Sequence, residues 1–145
     1  MPATREKRMG RFQVELELAN NDDLASVRRG HLTADQVRRV KIQGLVDSGA
    51  SGLVLPTKVA KQLEIPVTGK VKVTYANRQS SQRDKVEGVY LDLLGRHGIF
   101  TAHLEPRRET ALIGAIVLEE LDLLIDSRQE RLFPRDPDMV TTEAE

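Results

Sequence analysis

The stretch Gly44–Pro56, which reads GLVDSGASGLVLP, carries most of the information in this sequence about fold and function. An apolar run leads into Asp47, small and hydroxyl residues follow at once, and a second apolar run ends in a proline. A carboxylate avoids apolar surroundings unless it is paired or hydrogen-bonded, so a strand that carries one there indicates chemistry. Gly49 and Gly52 allow a tight turn, and the Gly49 amide can approach the carboxylate closely. Asp-Ser-Gly alone is also a common turn sequence; the longer string favours an active site.

Apolar residues that alternate with polar ones predict a mostly β chain. The strands are expected over residues 12–18, 40–46, 71–75, 86–93, 99–104, 110–113, 123–125 and 131–133. Short helices are expected over 56–63 and 116–121, Asn20–Asp23 is typical of a turn or helix cap, and Gly88 of a bulge. A turn is expected at Gly95–Gly98 and a long polar hairpin tip over Asn77–Asp84. So many short strands predict a closed or double-layered β architecture.

Asp47-Ser48-Gly49-Ala50 resembles the active-site loop of retropepsin-like aspartic proteases, in which Asp-Ser/Thr-Gly-Ala follows an apolar strand. A second landmark of that family, an apolar pair followed by glycine, appears as Leu112-Ile113-Gly114. The resemblance covers roughly residues 11–134 and is of the single-domain bacterial kind. It implies an all-β fold, the closed acid-protease barrel, with one or two short helices.

The same resemblance implies an aspartic endopeptidase, which acts on peptides or unfolded proteins and needs no cofactor. Aspartic proteolysis requires two carboxylates that share one proton, one as the base that activates water and one as the acid. The chain has a single Asp-Ser-Gly-Ala, because Asp126-Ser127 is followed by Arg128. The second Asp47 would therefore come from another copy across a two-fold axis, in a homodimer.

The residues around Asp47 take their roles from the family. Ser48 would hydrogen-bond across the dimer, and Gly49 would let substrate and backbone approach. Ala50 and Ser51 would line the cleft, with Ser51 able to bond a peptide backbone. Gly114 would pack beside the Asp47 loop, where a side chain would not fit.

Two departures from the family pattern concern the flap and the dimer. Retropepsin flap tips are rich in glycine, whereas the expected tip here has none. The flap residues would be Tyr75, Ala76, Asn77 and Arg78. Retropepsins usually pair an acidic residue with an arginine at the positions that hold Ser51 and Ala115 here. Both partners are missing together, so a dimer would be held by other surfaces, with the C-terminal strands as one candidate.

Composition sets the remaining expectations. A chain of 145 residues predicts one domain, over 11–134, with flexible tails at 1–10 and 135–145. Net charge is zero, which gives no indication of nucleic-acid or membrane partners. There is no cysteine, so disulfides and cysteine-type metal sites are excluded. No apolar segment follows the basic N-terminus, as a secretory signal would require, and a cytoplasmic protein is the default expectation.

Weaker patterns leave alternatives open. His31, His97 and His103 lack metal-ligand spacing and are interpreted as surface or edge residues rather than as a metal site. Glu119–Asp122 could bind a cation, but a solvated helix end is the preferred interpretation. The main functional rival is a catalytically silent dimeric module that binds extended peptides in the same cleft.

Overall fold

Nine strands and three short helices make up residues 11–145, the part of the chain that this computed structural model describes. The strands are β1 (Arg11–Asn20), β2 (Arg39–Asp47), β3 (Leu53–Pro56), β4 (Val67–Thr74), β5 (Ser80–Leu93), β6 (Arg96–Glu105), β7 (Ala111–Ile113), β8 (Leu123–Asp126) and β9 (Arg131–Pro134). The helices are α1 (Asn21–Arg28), α2 (Thr57–Gln62) and α3 (Ala115–Leu121), and a 3-10 turn covers Ala34–Gln36. None of these helices is long and apolar enough to cross a membrane.

Six of the strands close into a barrel. Their order is β1-β2-β7-β3-β6-β5, and pairing of β5 with β1 closes the ring, while β4 extends outward from β5. Strand β7 runs parallel to β2 and antiparallel to β3, so it lies between them. The core fills the barrel with the apolar residues of each alternating strand, such as Leu16 and Leu18 of β1. The closed β-barrel expected from the sequence is confirmed.

The helices pack against strands of the barrel. Helix α2 buries Val59 and Ala60, as its spacing predicted. Helix α1 is a third helix, where the sequence indicated a turn or a cap. Asn20 caps it by accepting from the amide of Asp23 at 3.1 Å, and its side-chain amide donates to the carbonyl of Leu63 at 2.9 Å. Both polar ends of this buried side chain are therefore satisfied.

The β4–β5 hairpin differs from the sequence prediction. A polar loop was expected over 77–84, but β5 already begins at Ser80 and the tip is a tight turn. On the outer face of the hairpin, polar side chains of β4 pair with polar side chains of β5. Lys70 and Asp84 form an ion pair at 2.6 Å, and the Thr74 and Ser80 hydroxyls lie 3.1 Å apart.

Two turn predictions in β5 and β6 have different outcomes. The bulge at Gly88 is confirmed by its φ of 71° and by the register shift between Val86 and Val89. The turn expected at residues 95–98 is shorter, because β6 already begins at Arg96. Leu94 and Gly95, both with positive φ, make that turn.

Strands β8 and β9 form a separate two-stranded sheet beside the barrel. The interpretation of Glu119–Asp122 as a solvated helix end is wrong for Asp122, which is buried. Asp122 ends α3 in the left-handed conformation, at φ 55°, and its carboxylate pairs with Arg135 at 2.9 Å. Its second oxygen accepts from the Thr141 amide at 2.9 Å, so the segment after β9 folds back onto α3. The tail expected at 1–10 lies outside the described residues.

Candidate active site

Asp47 is the last residue of β2 and is partly buried. Its Oδ1 accepts a hydrogen bond from the Gly49 amide at 2.9 Å, the approach that the sequence indicated. Its Oδ2 lies 3.2 Å from Nη2 of Arg11, the residue directly opposite it in β1. The Asp47 side chain is 16% exposed. One oxygen is therefore fixed by its own loop, while the other is oriented by a guanidinium at the rim of the barrel.

The loop after Asp47 is attached to the start of α3 by three backbone hydrogen bonds. The Gly114 amide donates to Gly52 O at 3.0 Å, the Ala115 amide to Ala50 O at 2.8 Å, and the Ile116 amide to Ser51 O at 3.0 Å. Ser51 and Ala115 are the positions where the family's usual ion pair is missing. In this chain the two segments are joined by main-chain bonds.

Strand pairing explains why these segments meet. Ile113 of β7 is the register partner of both Val46 in β2 and Leu53 in β3. The two strands that flank the Asp47 loop are therefore held on either side of the strand that ends at Gly114. A Cβ atom at position 114 would lie 2.7 Å from Ala50 O, so only glycine fits beside the loop. The packing expected for Gly114 is present.

The other predicted loop residues lie at the surface. Ser48, Gly49 and Ser51 are exposed, and Ala50 is half-buried. Neither serine side chain hydrogen-bonds to another residue within 11–145. Ser48 is thus accessible to a second molecule, and its role across a dimer stays a prediction.

The predicted flap residues form the tip of the β4–β5 hairpin. The Tyr75 amide donates to Gln79 O at 2.9 Å, which closes the turn over residues 76–78. Arg78 adopts a left-handed conformation, with φ 68°, that glycine would take more easily. The tip therefore forms its tight turn without glycine.

A groove of about 320 Å³ runs from the loop after Asp47 to the underside of this hairpin. Its walls are the start of β3, part of β4, and the polar face of β6. The residues that line it are Ser51, Gly52, Leu53, Val71, Lys72, Val73, Thr74, Lys85, Thr101, Ala102 and His103. An extended chain in this groove would pass beside the Asp47 loop.

The sequence interpretation missed His103, which lines the groove, and Glu105, whose Oε2 lies 3.3 Å from Nε2 of His103. His103 was expected at the surface or on an edge strand, but its side chain is 20% exposed and β6 lies between β3 and β5. Burial lowers the pKa of the His103 imidazole, despite the nearby carboxylate of Glu105. Alternation along β6 was the available signal, because it places Thr101, His103 and Glu105 on the face opposite the buried Ala102 and Leu104.

The remaining histidines and acidic groups do not gather into a second site. His31 is exposed, and His97 stacks on Tyr90 with ring centroids 5.4 Å apart. Oδ1 of Asp126 accepts from the amides of Arg128 and Gln129, both at 3.1 Å, in the β8–β9 turn. Across the described range 11–145, no group of three or more acidic or histidine side chains could hold a metal ion.

Comparison with known proteins agrees with this geometry. A family model described as "Aspartyl protease" matches residues 30–115, more than half of the chain, and includes both the Asp47 loop and Gly114. The chain belongs to the aspartyl protease family. No curated protein matches this family member.

Two solved structures of viral proteases match this chain. The EIAV protease complexed with the inhibitor HBY-793 matches with a TM-score of 0.52 and 17% identity, over 77% of this chain and 88% of that one. The simian foamy virus (mac) protease in solution matches with a TM-score of 0.46 and 16% identity, over 74% of this chain and 91% of that one. At 17% identity, the match to the EIAV protease supports a retropepsin-like barrel for this chain. It supports the fold alone.

Proposed function

We propose that this family member is an aspartic endopeptidase whose active site forms between two copies of the chain. Asp47 of each copy would supply one carboxylate of a pair across a two-fold axis. The substrate would be an extended peptide or an unfolded protein segment that lies in the groove beneath the β4–β5 hairpin.

The position of Asp47 is the observation that carries this proposal. Its loop is fixed by main-chain bonds to residues 114–116, while the outer atoms of that loop face solvent. The chain's other Asp-Ser pair, at Asp126, is committed to a turn in the two-stranded sheet. The second carboxylate of the pair would therefore come from a second copy.

The chemistry follows from two carboxylates that hold one proton. The ionised one takes a proton from a bound water, whose oxygen attacks the scissile carbonyl carbon. The protonated one donates to the carbonyl oxygen, which gives a neutral tetrahedral diol. The diol then collapses: one hydroxyl gives its proton to the ionised carboxylate, the C–N bond breaks, and the nitrogen takes up the proton of the other carboxyl. An amine and a carboxylic acid leave, and the pair again holds one proton.

Replacement of Asp47 by Asn tests the proposal. The amide keeps the shape but removes the ionisable group from both copies, so hydrolysis of an unstructured protein should fall at least about 10³-fold. Folding and dimerisation should persist, because the change removes two carboxylates that repel one another. Pepstatin-type inhibitors should block the wild-type activity.

Asp126→Asn is the matched control, because it changes the other Asp-Ser carboxylate and should leave turnover near normal. Near-normal turnover of Asp47→Asn would rule out the mechanism. A wild-type protein that binds extended peptides but never cleaves them would instead support the silent binding module.

A further inference from the structure

Glu105, at the end of β6, holds two residues of the β4–β5 hairpin. The Tyr75 hydroxyl donates to its Oε2 at 2.6 Å, and Nε of Arg83 donates to its Oε1 at 2.7 Å. Both carboxylate oxygens are used, and the Glu105 side chain is 14% exposed. Hydrogen bonds to an ionised, partly buried carboxylate are stronger than those between neutral groups.

The part of the hairpin near its tip, residues 70–84, makes few other hydrogen bonds to the rest of the protein. Backbone pairing between β5 and β6 ends at Lys85 and His103, so Ser80–Asp84 pair only with β4. Within the described part of the chain, the bonds from Tyr75 and Arg83 are the only side-chain hydrogen bonds that join residues 70–84 to the rest of the protein. Glu105 therefore supplies the polar connection between the hairpin and the barrel.

The surroundings keep this carboxylate ionised. Burial alone would raise the pKa of Glu105, but the bonds from Tyr75 and Arg83 and the charge of Arg83 outweigh it and hold the pKa below its ordinary value. Nε2 of His103 lies 3.3 Å from the same Oε2 that accepts from Tyr75. The connection thus persists into the mildly acidic range in which a carboxylate pair with one shared proton is active.

We propose that Glu105 is a positioning residue that sets the height of the hairpin above the groove beside Asp47. The expected effect on KM rests on the proposed peptidase function, whereas the attachment of the hairpin to Glu105 does not. Val71 and Val73 of the hairpin and His103 of β6 all line this groove. With the hairpin already in place, an extended peptide binds without the cost of ordering it.

Tyr75→Phe and Glu105→Gln test this role, with hydrogen exchange and kinetics as separate measurements. Tyr75→Phe removes one of the two hydrogen bonds, and Glu105→Gln removes the negative charge that accepts both. Amides of residues 72–82 should exchange at least about fivefold faster, while those of 40–46 stay unchanged. KM should rise about three- to tenfold, with kcat within about twofold. The reason is that substrate binding must then also supply the free energy needed to order the hairpin.

Asp84→Asn is the matched control, because it removes the ion pair with Lys70 on the outer face of the same hairpin. It should change neither exchange nor KM by more than about twofold. Unchanged exchange in Tyr75→Phe, or an equal effect of Asp84→Asn, would overturn the role of Glu105. Exchange is independent of turnover, so faster exchange in a protein that cleaves nothing would support the positioning role and contradict only the peptidase proposal.

Discussion

A Cβ atom on Gly114 would lie 2.4 Å from the carbonyl oxygen of Gly52, well inside the distance at which non-bonded carbon and oxygen atoms meet. The obstructing atoms belong to the main chain of the Asp47 loop, so rotation of a side chain cannot relieve the contact. We expect Gly114→Ala to lower the free energy of unfolding by at least about 2 kcal/mol and to displace the loop. Urea unfolding and peptide hydrolysis measure the two effects.

Gly52→Ala provides the control on the other side of the same contact. A Cβ atom there meets no atom within 4 Å, and the backbone does not have a positive φ. Its free energy of unfolding should stay within about 0.5 kcal/mol of the wild type. Equal destabilisation by the two substitutions would mean that the close approach of Gly114 is unimportant.

Arg11 has a predicted role in dimer formation through its contact with Asp47 Oδ2 at 3.2 Å. Two copies that bring their Asp47 carboxylates together must overcome repulsion, and a cation beside each one offsets part of it. We expect Arg11→Met to raise the dimer dissociation constant at least about threefold at low salt. The difference should shrink in about 1 M salt, which screens exposed charges. Sedimentation equilibrium at both salt concentrations measures it.

Arg39→Met is the control for Arg11. Arg39 forms an ion pair with Glu17 at 3.2 Å in the same pair of strands, but at the end away from the Asp47 loop. Its removal should leave the dissociation constant unchanged. A similar weakening by both variants would indicate a general charge effect rather than one centred on Asp47.

Much of the barrel could be predicted because its strands alternate apolar and polar residues over a buried face. The start of β5 could not, since Ser81 and Arg83 occupy the inner face where apolar residues would mark a strand. The partners of Glu105 also escaped prediction. Tyr75 lies 30 residues away and Arg83 lies 22 residues away, and only the folded hairpin brings them together.

The Asp47 site was predictable for a different reason. Its motif is a short string whose resemblance to the aspartic protease loop pointed to Asp47, and a second landmark of that family pointed to Gly114, without knowledge of the fold. The burial of Asp122 depends instead on a left-handed helix end and on Arg135, which returns from beyond β9. Sequence shows the charge of Asp122 but not the partner that allows it to be buried.

Stability at acidic pH should depend on Asp23. Its side chain is 5% exposed, and hydrogen bonds from the Arg38 side chain lower the pKa of its carboxyl. Because the folded pKa lies below the unfolded one, the ionised group stabilises the fold above the ordinary aspartate range. That contribution is lost as the pH falls through the lowered folded value.

We therefore expect Asp23→Asn to unfold at lower urea concentration than the wild type at pH 7. The difference in urea midpoint between the two proteins should become smaller as the pH drops below about 4, where the Asp23 carboxyl of the wild type becomes protonated. Asp22→Asn, at an exposed neighbour, should show only a small change at either pH. If the difference in urea midpoint stayed the same in acid, it would contradict the assigned role of the ionised Asp23.

Mixed dimers give the sharpest test of a shared active site. When wild-type and Asp47→Asn chains exchange freely at equal amounts, about a quarter of the dimers carry two carboxylates, and hydrolysis should fall to about a quarter of the all-wild-type rate at the same total concentration. Chains that act alone would retain about half, because every wild-type chain stays active. A series of mixing ratios, at concentrations far above the dissociation constant, should follow the square of the wild-type fraction. A linear dependence would show that each Asp47 works without its counterpart, and an equal mixture with Asp126→Asn should show no loss at all.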